Sequence, residues 1–336
     1  MCIRDSHSKT PGHPEYGQTP GIETTTGPLG QGGSNGVGLA LAEKILSERF
    51  NRDDFDIVNH YTWILLGDGC LMEGISHEAC SLAGTLQLGK LIAIWDDNGI
   101  SIDGDVKGWF TDDTPERFRA YGWQVIEGVD GHDFGAVNKA ISTAMVEESK
   151  PSLICCRTVI GWGSPNKQGR ESSHGAPLGK NEVDLVRDTI DWPHPPFEIP
   201  PDIYDAWNAT ERGIRLESEW NAKFSKYSEA HSQEAAEFKR RISGVLTDNW
   251  KEVVNHHLDD VIERCETLPS RKSSQLTLEN LAPHLPELVG GSADLTGSNL
   301  TQWSGSTPVT ADDSNGDYIF YGVREFGMAA ITNGLA

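Results

Sequence analysis

Two short apolar runs, each closed by a turn of glycine and acidic residues, constrain this chain most. Tyr61–Leu66 stops at Gly67-Asp68-Gly69, and Leu91–Trp95 stops at Asp96-Asp97-Asn98. Continuous apolar runs of this length, bounded by turn residues, read as buried strands. Such strands need helices to cover them, and helical spacing lies between and around them. Leu39, Ala42, Ile45, Leu46 and Phe50 share one helical face, and a second helix is expected over about Ser76–Leu86. Further on, 115–121 and 134–148 read as helix, while 123–126 and 152–159 read as strand. The alternation predicts an α/β fold: a doubly wound, mostly parallel sheet with helices on both faces.

The rest of the chain lacks this alternation. Residues 7–36 and 161–180 are rich in Gly, Thr, Ser, Pro and His, and read as long ordered loops of the kind that carry function. Five prolines between Trp192 and Pro201 mark an extended crossing segment. Residues 202–243 read as a charged, solvated helical hairpin and 246–270 as a linker. A second α/β unit begins at Arg271, with a helix over Ser273–Leu281, a strand over Glu287–Val289, the turn Gly290-Gly291-Ser292-Ala293-Asp294, and a last helix from Glu325.

Composition narrows the partners. Lys plus Arg total 28 against 50 Asp plus Glu, a net charge of −22. That balance repels nucleic acid and anionic lipid. No apolar run approaches the roughly 18 residues of a membrane span. The six cysteines form no CxxC pair and no zinc spacing, so they read as reduced, mostly buried thiols of a cytoplasmic protein. A phosphate-bearing ligand would therefore need a local device to hold it.

The strand ends supply one. Ligands of an open parallel sheet bind beyond the carboxyl ends of its strands. Asp68 and Asn98 place two hard oxygen donors there, the chemistry of Mg²⁺, which shares its coordination with phosphates and inverts the local charge. Gly67 and Gly69 admit close backbone approach. Taken alone, Gly-Asp-Gly reads more readily as a plain strand-end turn than as a functional site.

Gly-Asp-Gly followed some 26 residues later by Asp-Asp-Asn resembles the diphosphate signature of thiamine-diphosphate enzymes. Four surrounding motifs narrow the resemblance: Thr25-Thr26-Gly27-Pro28-Leu29-Gly30-Gln31-Gly32, Gly67-Asp68-Gly69-Cys70-Leu71-Met72-Glu73-Gly74, Gly163-Ser164-Pro165-Asn166-Lys167 with Ser173-His174-Gly175-Ala176-Pro177-Leu178-Gly179, and Gly291-Ser292-Ala293-Asp294-Leu295. All five stand in the order found in transketolases and resemble the bacterial ones most. The resemblance runs from His7 to the last residue. It implies the thiamine-diphosphate-binding fold and a division into a diphosphate-binding domain (7–245), a linker (246–270) and a truncated pyrimidine-binding domain (271–336). It also implies that the family's opening segment, most of the pyrimidine domain and the C-terminal domain are missing. Residues 1–6 do not match and are expected to be an artefact of sequence assembly or cloning.

The resemblance implies roles residue by residue. Asp68, Asn98 and the Ile100 carbonyl would hold Mg²⁺, or Ca²⁺ or Mn²⁺ in its place. Gly69 would contact the diphosphate. Glu73 matches the same region but reads equally as an exposed acid at a helix start. Gly27, Pro28 and Leu29 match the loop beneath the coenzyme rings, with Leu29 as the wedge that bends them together. Glu325 matches the catalytic acid that bonds a pyrimidine nitrogen, a role that apolar burial of the carboxyl favours. His174 and His13 match contacts to the sugar and reacting centre, Arg271 and Ser298 the grip on its terminal phosphate, and Asp294 a position near the coenzyme. The implied reaction moves a two-carbon ketol unit from a ketose phosphate such as xylulose 5-phosphate to an aldose phosphate such as ribose 5-phosphate, in a homodimer. A dihydroxyacetone synthase and a truncated, non-catalytic paralogue that binds Mg²⁺ and diphosphate are the alternatives. The Ser173–Gly179 loop with Arg271 and Ser298 disfavours deoxyxylulose-phosphate synthase and phosphoketolase.

Overall fold

The computed structural model describes residues 15–336. The expectations for residues 1–6, for His13 and for the start of the first loop lie outside the described residues. The chain divides into two compact units, the first comprising residues up to Ala40, Tyr61–Ala209 and Ala329–Ala336, the second Leu41–His60 and Thr210–Met328.

In the first unit, helix α1 (Gln31–Phe50) contributes its opening turns as far as Ala40. The first long loop therefore ends six residues earlier than the sequence predicts. Glycines at 32, 33, 36 and 38 disfavour helix by propensity, but packing overrides it. A Cβ at Gly38 would lie 2.1 Å from the Ile331 carbonyl oxygen, so the bare glycine is what lets this helix touch the chain's last helical segment. At the end of the first turn the Ser34 Oγ donates back to the Gly30 carbonyl at 2.9 Å.

The sheet follows the predicted alternation: β1 (Thr62–Gly67), α2 (Asp68–Met72), α3 (Gly74–Thr85), β2 (Leu91–Asp97), a small hairpin of β3 (Ile100–Ser101) and β4 (Gly104–Asp105), α4 (Thr114–Ala120), β5 (Gln124–Asp130), α5 (Phe134–Val146) and β6 (Ser152–Arg157). The four long strands pair in parallel in the order β1-β2-β6-β5, with helices on both faces. The expectation of fully buried strands holds at the centre, where Ser152–Cys156 of β6 are buried without a break. It fails for β1. That strand ends the sheet among the described residues and alternates, leaving Trp63 43% and Leu65 79% exposed. Small side chains let α5 close one face: Ala140 and Ala144 pack with Ile92, Val129 and Ile154. Asp133 starts α5 by accepting from the Gly135 and Ala136 N–H groups. Register brings the carboxyl tips together, since Gly67 lies opposite Asp96, and Asp97 opposite Arg157. α6 (Lys180–Thr189) and α7 (Pro201–Trp207) complete the unit.

In the second unit, α8 (Thr210–Ala230) and α9 (Ser232–Ile242) form the predicted hairpin, but one face of it is not solvated. Phe224, Tyr227, Ala235 and Phe238 are buried with Phe50, Ile57 and Val58. The Tyr227 hydroxyl donates to the Phe50 carbonyl at 2.8 Å. The hairpin's many charges mask this stripe in the sequence. Within the expected linker, α10 (Trp250–Arg264) is helical and meets α11 (Ser270–Leu281) through buried His257, which faces Thr277 Oγ1 at 3.2 Å and Asn280 Nδ2 at 2.9 Å. The strand expected over Glu287–Val289 sits later, as β7 (Gly290–Ser292). The Leu288 N–H is taken up in a turn by the Leu285 carbonyl at 2.9 Å. α12 (Thr296–Asn299) follows, then β8 (Tyr318–Phe320), which pairs with β7 in parallel, and α13 (Glu325–Leu335), whose first turn belongs to this unit.

The thiols depart from the expectation of burial. All five described cysteines are free, but only Cys155 and Cys156 are buried, while Cys70 and Cys80 are partly covered and Cys265 is exposed. Burial pushes the Cys155 thiol up to about 12. Among the described residues no helix is long and apolar enough to cross a membrane.

Candidate functional site

The tips of β1 and β2 build the centre of the first unit's site. Asp68 follows β1 directly and is 4% exposed. Its Oδ1 accepts from Trp95 Nε1 at 3.2 Å and its Oδ2 from the Gly99 N–H at 3.0 Å. The second bond ties the end of one strand to the turn that follows the other. Asn98 shapes that turn: its Oδ1 accepts from the Ile100 N–H at 2.9 Å and its Nδ2 donates to Asp96 at 3.1 Å. The turn that Asn98 shapes with Ile100 is thus the one whose Gly99 amide Asp68 holds.

The electrostatics there call for a cation. Burial holds the Asp68 carboxyl above the usual carboxylate range, the Trp95 and Gly99 bonds work against this, and Asp97 and Asp96 add to it. Asp97 is raised as well, first by burial and then by Asp96, with Arg157 opposing. Two neutral N–H donors do not compensate a desolvated carboxylate beside two further acids, whereas a divalent cation would. The donor set, carboxylate and amide oxygen with a neighbouring main-chain carbonyl, is of the hard kind that suits Mg²⁺. The residues present therefore fit the metal.

The loop before α1 forms the adjoining wall. A cavity of about 430 Å³ is lined by Gly27, Pro28, Leu29, Trp63, Leu65 and Cys70, among others. Leu29 stands 53% exposed at its edge. A Cβ on Gly69 would lie 3.0 Å from Leu29 Cδ1, so the structure brings these two positions together. Gly30 in turn packs on the backbone side of Glu73, whose own carboxyl is exposed at the start of α3. No cap bond reaches α3 from that side chain.

His174 stands exposed on the loop that follows β6, its N–H donating to the Glu171 carbonyl at 2.8 Å. That loop is braced by a residue the sequence reading missed. Buried Glu182 accepts from Ser164 Oγ, from the Asn166 N–H at 2.9 Å and from Asn166 Nδ2 at 2.9 Å. These bonds hold the Glu182 carboxyl below its ordinary range. A glutamate in a charged helix carries no sequence signal for this. Trp95 was also unforeseen as a hydrogen-bond donor to Asp68, because in an apolar strand it reads as core.

Arg271, Asp294, Ser298 and Glu325 belong to the second unit. Arg271 is exposed in the first turn of α11, and Ser298 is exposed on α12. Asp294 follows β7 with φ +61°, a left-handed conformation that aspartate tolerates better than most residues. Glu325 opens α13 and is exposed, as is its neighbour Phe326 at 71%. The apolar burial that would favour a protonated carboxyl is not provided within this unit.

Comparison with known proteins agrees with this geometry. Residues 2–247 match the family model described as the transketolase thiamine diphosphate binding domain, and residues 266–336 match that of the transketolase pyrimidine binding domain. The chain is 60% identical over 334 residues to Transketolase 1 of Vibrio cholerae and 59% identical over 334 residues to Transketolase 2 of Escherichia coli. It covers 99% of itself and 50% of the Vibrio cholerae relative, so it spans about half the length of the curated relatives it matches. Among solved structures it resembles a Pichia stipitis transketolase in complex with sedoheptulose 7-phosphate (TM-score 0.91, 42% identity, 99% of this chain and 50% of that one). It also resembles the transketolase of Campylobacter jejuni (TM-score 0.83, 35% identity, 99% and 49%). Both domain matches fall on the motifs gathered at the strand tips and after β7, and the chain belongs to the transketolase family.

Proposed function

We propose that this chain is the coenzyme-binding part of a transketolase, which transfers a two-carbon ketol unit from a ketose phosphate such as xylulose 5-phosphate to an aldose phosphate such as ribose 5-phosphate. The observation that carries the reading is the buried Asp68 carboxylate, bonded to Gly99 beside Asn98 and, among the described residues, to neutral donors alone. Asp68, Asn98 and the Ile100 carbonyl would hold Mg²⁺, or Ca²⁺ or Mn²⁺ in its place, with Gly69 contacting the diphosphate. Gly27, Pro28 and Leu29 would form the floor under the coenzyme rings, with Glu73 and Asp294 nearby. When bound, thiamine diphosphate supplies the electron sink for the carbon–carbon cleavage.

The remaining roles belong to the chain's own side chains. Glu325 holds a proton against the coenzyme's pyrimidine, and His174 exchanges a proton or hydrogen bond with the sugar. Arg271 and Ser298 grip the sugar's terminal phosphate, where a guanidinium suits a dianion. His13 would add a further sugar contact. The exposure of Glu325 fits a homodimer in which a second subunit covers this acid. The free cysteines fit a cytoplasmic enzyme.

Titration calorimetry with thiamine diphosphate and Mg²⁺ tests the reading. Metal-dependent binding by the wild type, lost in Asp68→Ala, is the expected result. Binding indifferent to both metal and substitution would overturn it. The 336-residue polypeptide assayed alone is expected to show negligible ketol transfer, since it spans half the length of its relatives.

A further inference from the structure

His132 lies in the turn between β5 and α5, at the carboxyl end of the sheet, and the roles proposed above do not use it. Its Nε2 lies 2.9 Å from the Val159 N–H, two residues beyond β6. A main-chain N–H can only donate, so Nε2 is the bare nitrogen and the proton sits on Nδ1. The ring also stacks on Trp162, with centroids 5.0 Å apart and planes 18° from parallel. The backbone that carries the ring is held from behind: the His132 main-chain N–H donates to Asp130 Oδ1 at 2.9 Å, and the Gly131 N–H donates to the Arg157 carbonyl at 2.8 Å.

Val159 begins the loop that carries His174. The Trp162 N–H donates to the Val159 carbonyl at 3.0 Å, and the Gly169 N–H donates to the Ile160 carbonyl at 2.7 Å. A Cβ on Gly161 would lie 2.7 Å from Ser173 Oγ, so the residue before His174 packs directly on this first turn. Ser173 Oγ also donates to the Lys167 carbonyl at 2.6 Å. The loop thus folds back on its own beginning, where Thr158 is tied to the end of β2 and the next residue, Val159, is held by the imidazole.

We propose that His132 is a positioning residue for this loop: neutral, it anchors the first turn through Val159, and protonated, it releases it. Protonation puts hydrogen on Nε2, the atom facing the Val159 N–H, so the bond cannot survive in that geometry. Imidazole is the side chain whose charge changes between about pH 5 and 8. Charged groups surround it on each element: Asp130 and Asp133 in its own turn, Arg157 at the end of β6, and Asp97 at the end of β2, whose carbonyl accepts from the Thr158 N–H at 3.2 Å. The positive end of α5 lies just beyond. The bearing of this clamp on ketol transfer rests on the function proposed above, so the test reads the loop itself, without coenzyme or substrate.

Hydrogen exchange at the Val159 amide, expressed as a protection factor at about pH 8 and about pH 5, decides the matter. Wild-type protection is expected to fall by about tenfold at the lower pH, the scale of one lost hydrogen bond. His132→Gln offers an uncharged acceptor and keeps protection at both pH values. His132→Phe keeps a ring over Trp162 without an acceptor and shows low protection at both. Wild-type protection independent of pH would overturn the proposal. So would a parallel fall in His132→Gln, or full protection in His132→Phe.

Discussion

Gly27 and Gly30 stand three residues apart in one loop, and the same change to alanine should separate a glycine required by the fold from one that the proposed coenzyme site requires. Gly30 has φ +81°, and a Cβ there would lie 2.7 Å from Ile75 Cγ2 and 2.9 Å from Glu73 Cβ. Placing an L residue in that conformation costs about 1–2 kcal/mol. Overpacking against α3 adds about 1–3 kcal/mol. Gly30→Ala should therefore destabilise by about 2–5 kcal/mol, which lowers the melting midpoint of a domain of about 200 residues by roughly 10 °C. Gly27 is different: no atom lies within 4 Å of its Cβ position, and its φ is not in the left-handed region. Alanine there only restricts the unfolded chain, a gain of about 0.4–1 kcal/mol. Its midpoint should stay level or rise by about 1–4 °C. Its methyl group would project into space left open for the coenzyme, so binding of thiamine diphosphate with Mg²⁺ should weaken by about tenfold or more, equivalent to about 1.4 kcal/mol. Scanning fluorimetry and titration calorimetry on the two variants read both quantities. A Gly27→Ala protein that melts as low as Gly30→Ala, or that binds coenzyme like the wild type, would refute this division.

Other outcomes follow from the same contacts. Because burial raises the folded-state pKa of Asp68, its contribution to metal-free stability is full below the ordinary aspartate value and is lost as pH rises through the raised one. The midpoint gained on adding Mg²⁺ with thiamine diphosphate should therefore be larger near neutral pH than in acid, and a pH-independent gain would contradict this. The Arg240 guanidinium bonded to Glu237, with Arg241 adding to it, holds that carboxyl down at about 2. The corresponding stability is present above the ordinary glutamate value and fades as pH falls toward about 2, and Glu237→Gln should remove that limb from an acid-unfolding curve. Phe238→Ala, which empties part of the second unit's core, should cost about 3–5 kcal/mol in denaturant unfolding, and Tyr227→Phe, which loses one bond to Phe50, about 1 kcal/mol.

Much of this architecture was legible because strands and helices write different periods into a chain. The runs at 61–66 and 91–95 and the helical spacing around them were enough for a parallel α/β sheet, and the acids at the strand ends were enough to suspect a cation. What misled was local reading where packing decides. Glycines before Leu39 argue against helix one residue at a time, yet the bare backbone at Gly38 is what a close helix contact needs. The stripe Phe224, Tyr227, Phe238 is diluted by lysine, arginine and glutamate, so the hairpin read as solvated on all sides. Trp63 and Leu65 look as buried as Ile154, because a single strand does not reveal whether it lies at an edge.

Residue types and their order determined the kind of chemistry available here: hard oxygens after two strands, a proline-containing glycine loop, a histidine in a long Gly/Ser-rich loop. They could do so because covalent neighbours alone set turn chemistry and strand ends. Only the folded chain decided which of these meet. The Asp68 carboxylate reaches across to the Gly99 amide, Leu29 comes up against Gly69, Glu182 ties down the loop bearing His174, and an imidazole at position 132 catches the amide of Val159. These pairings join residues 16 to 40 positions apart in sequence, and such contacts form only when sheet register and helix packing bring distant segments to the same edge.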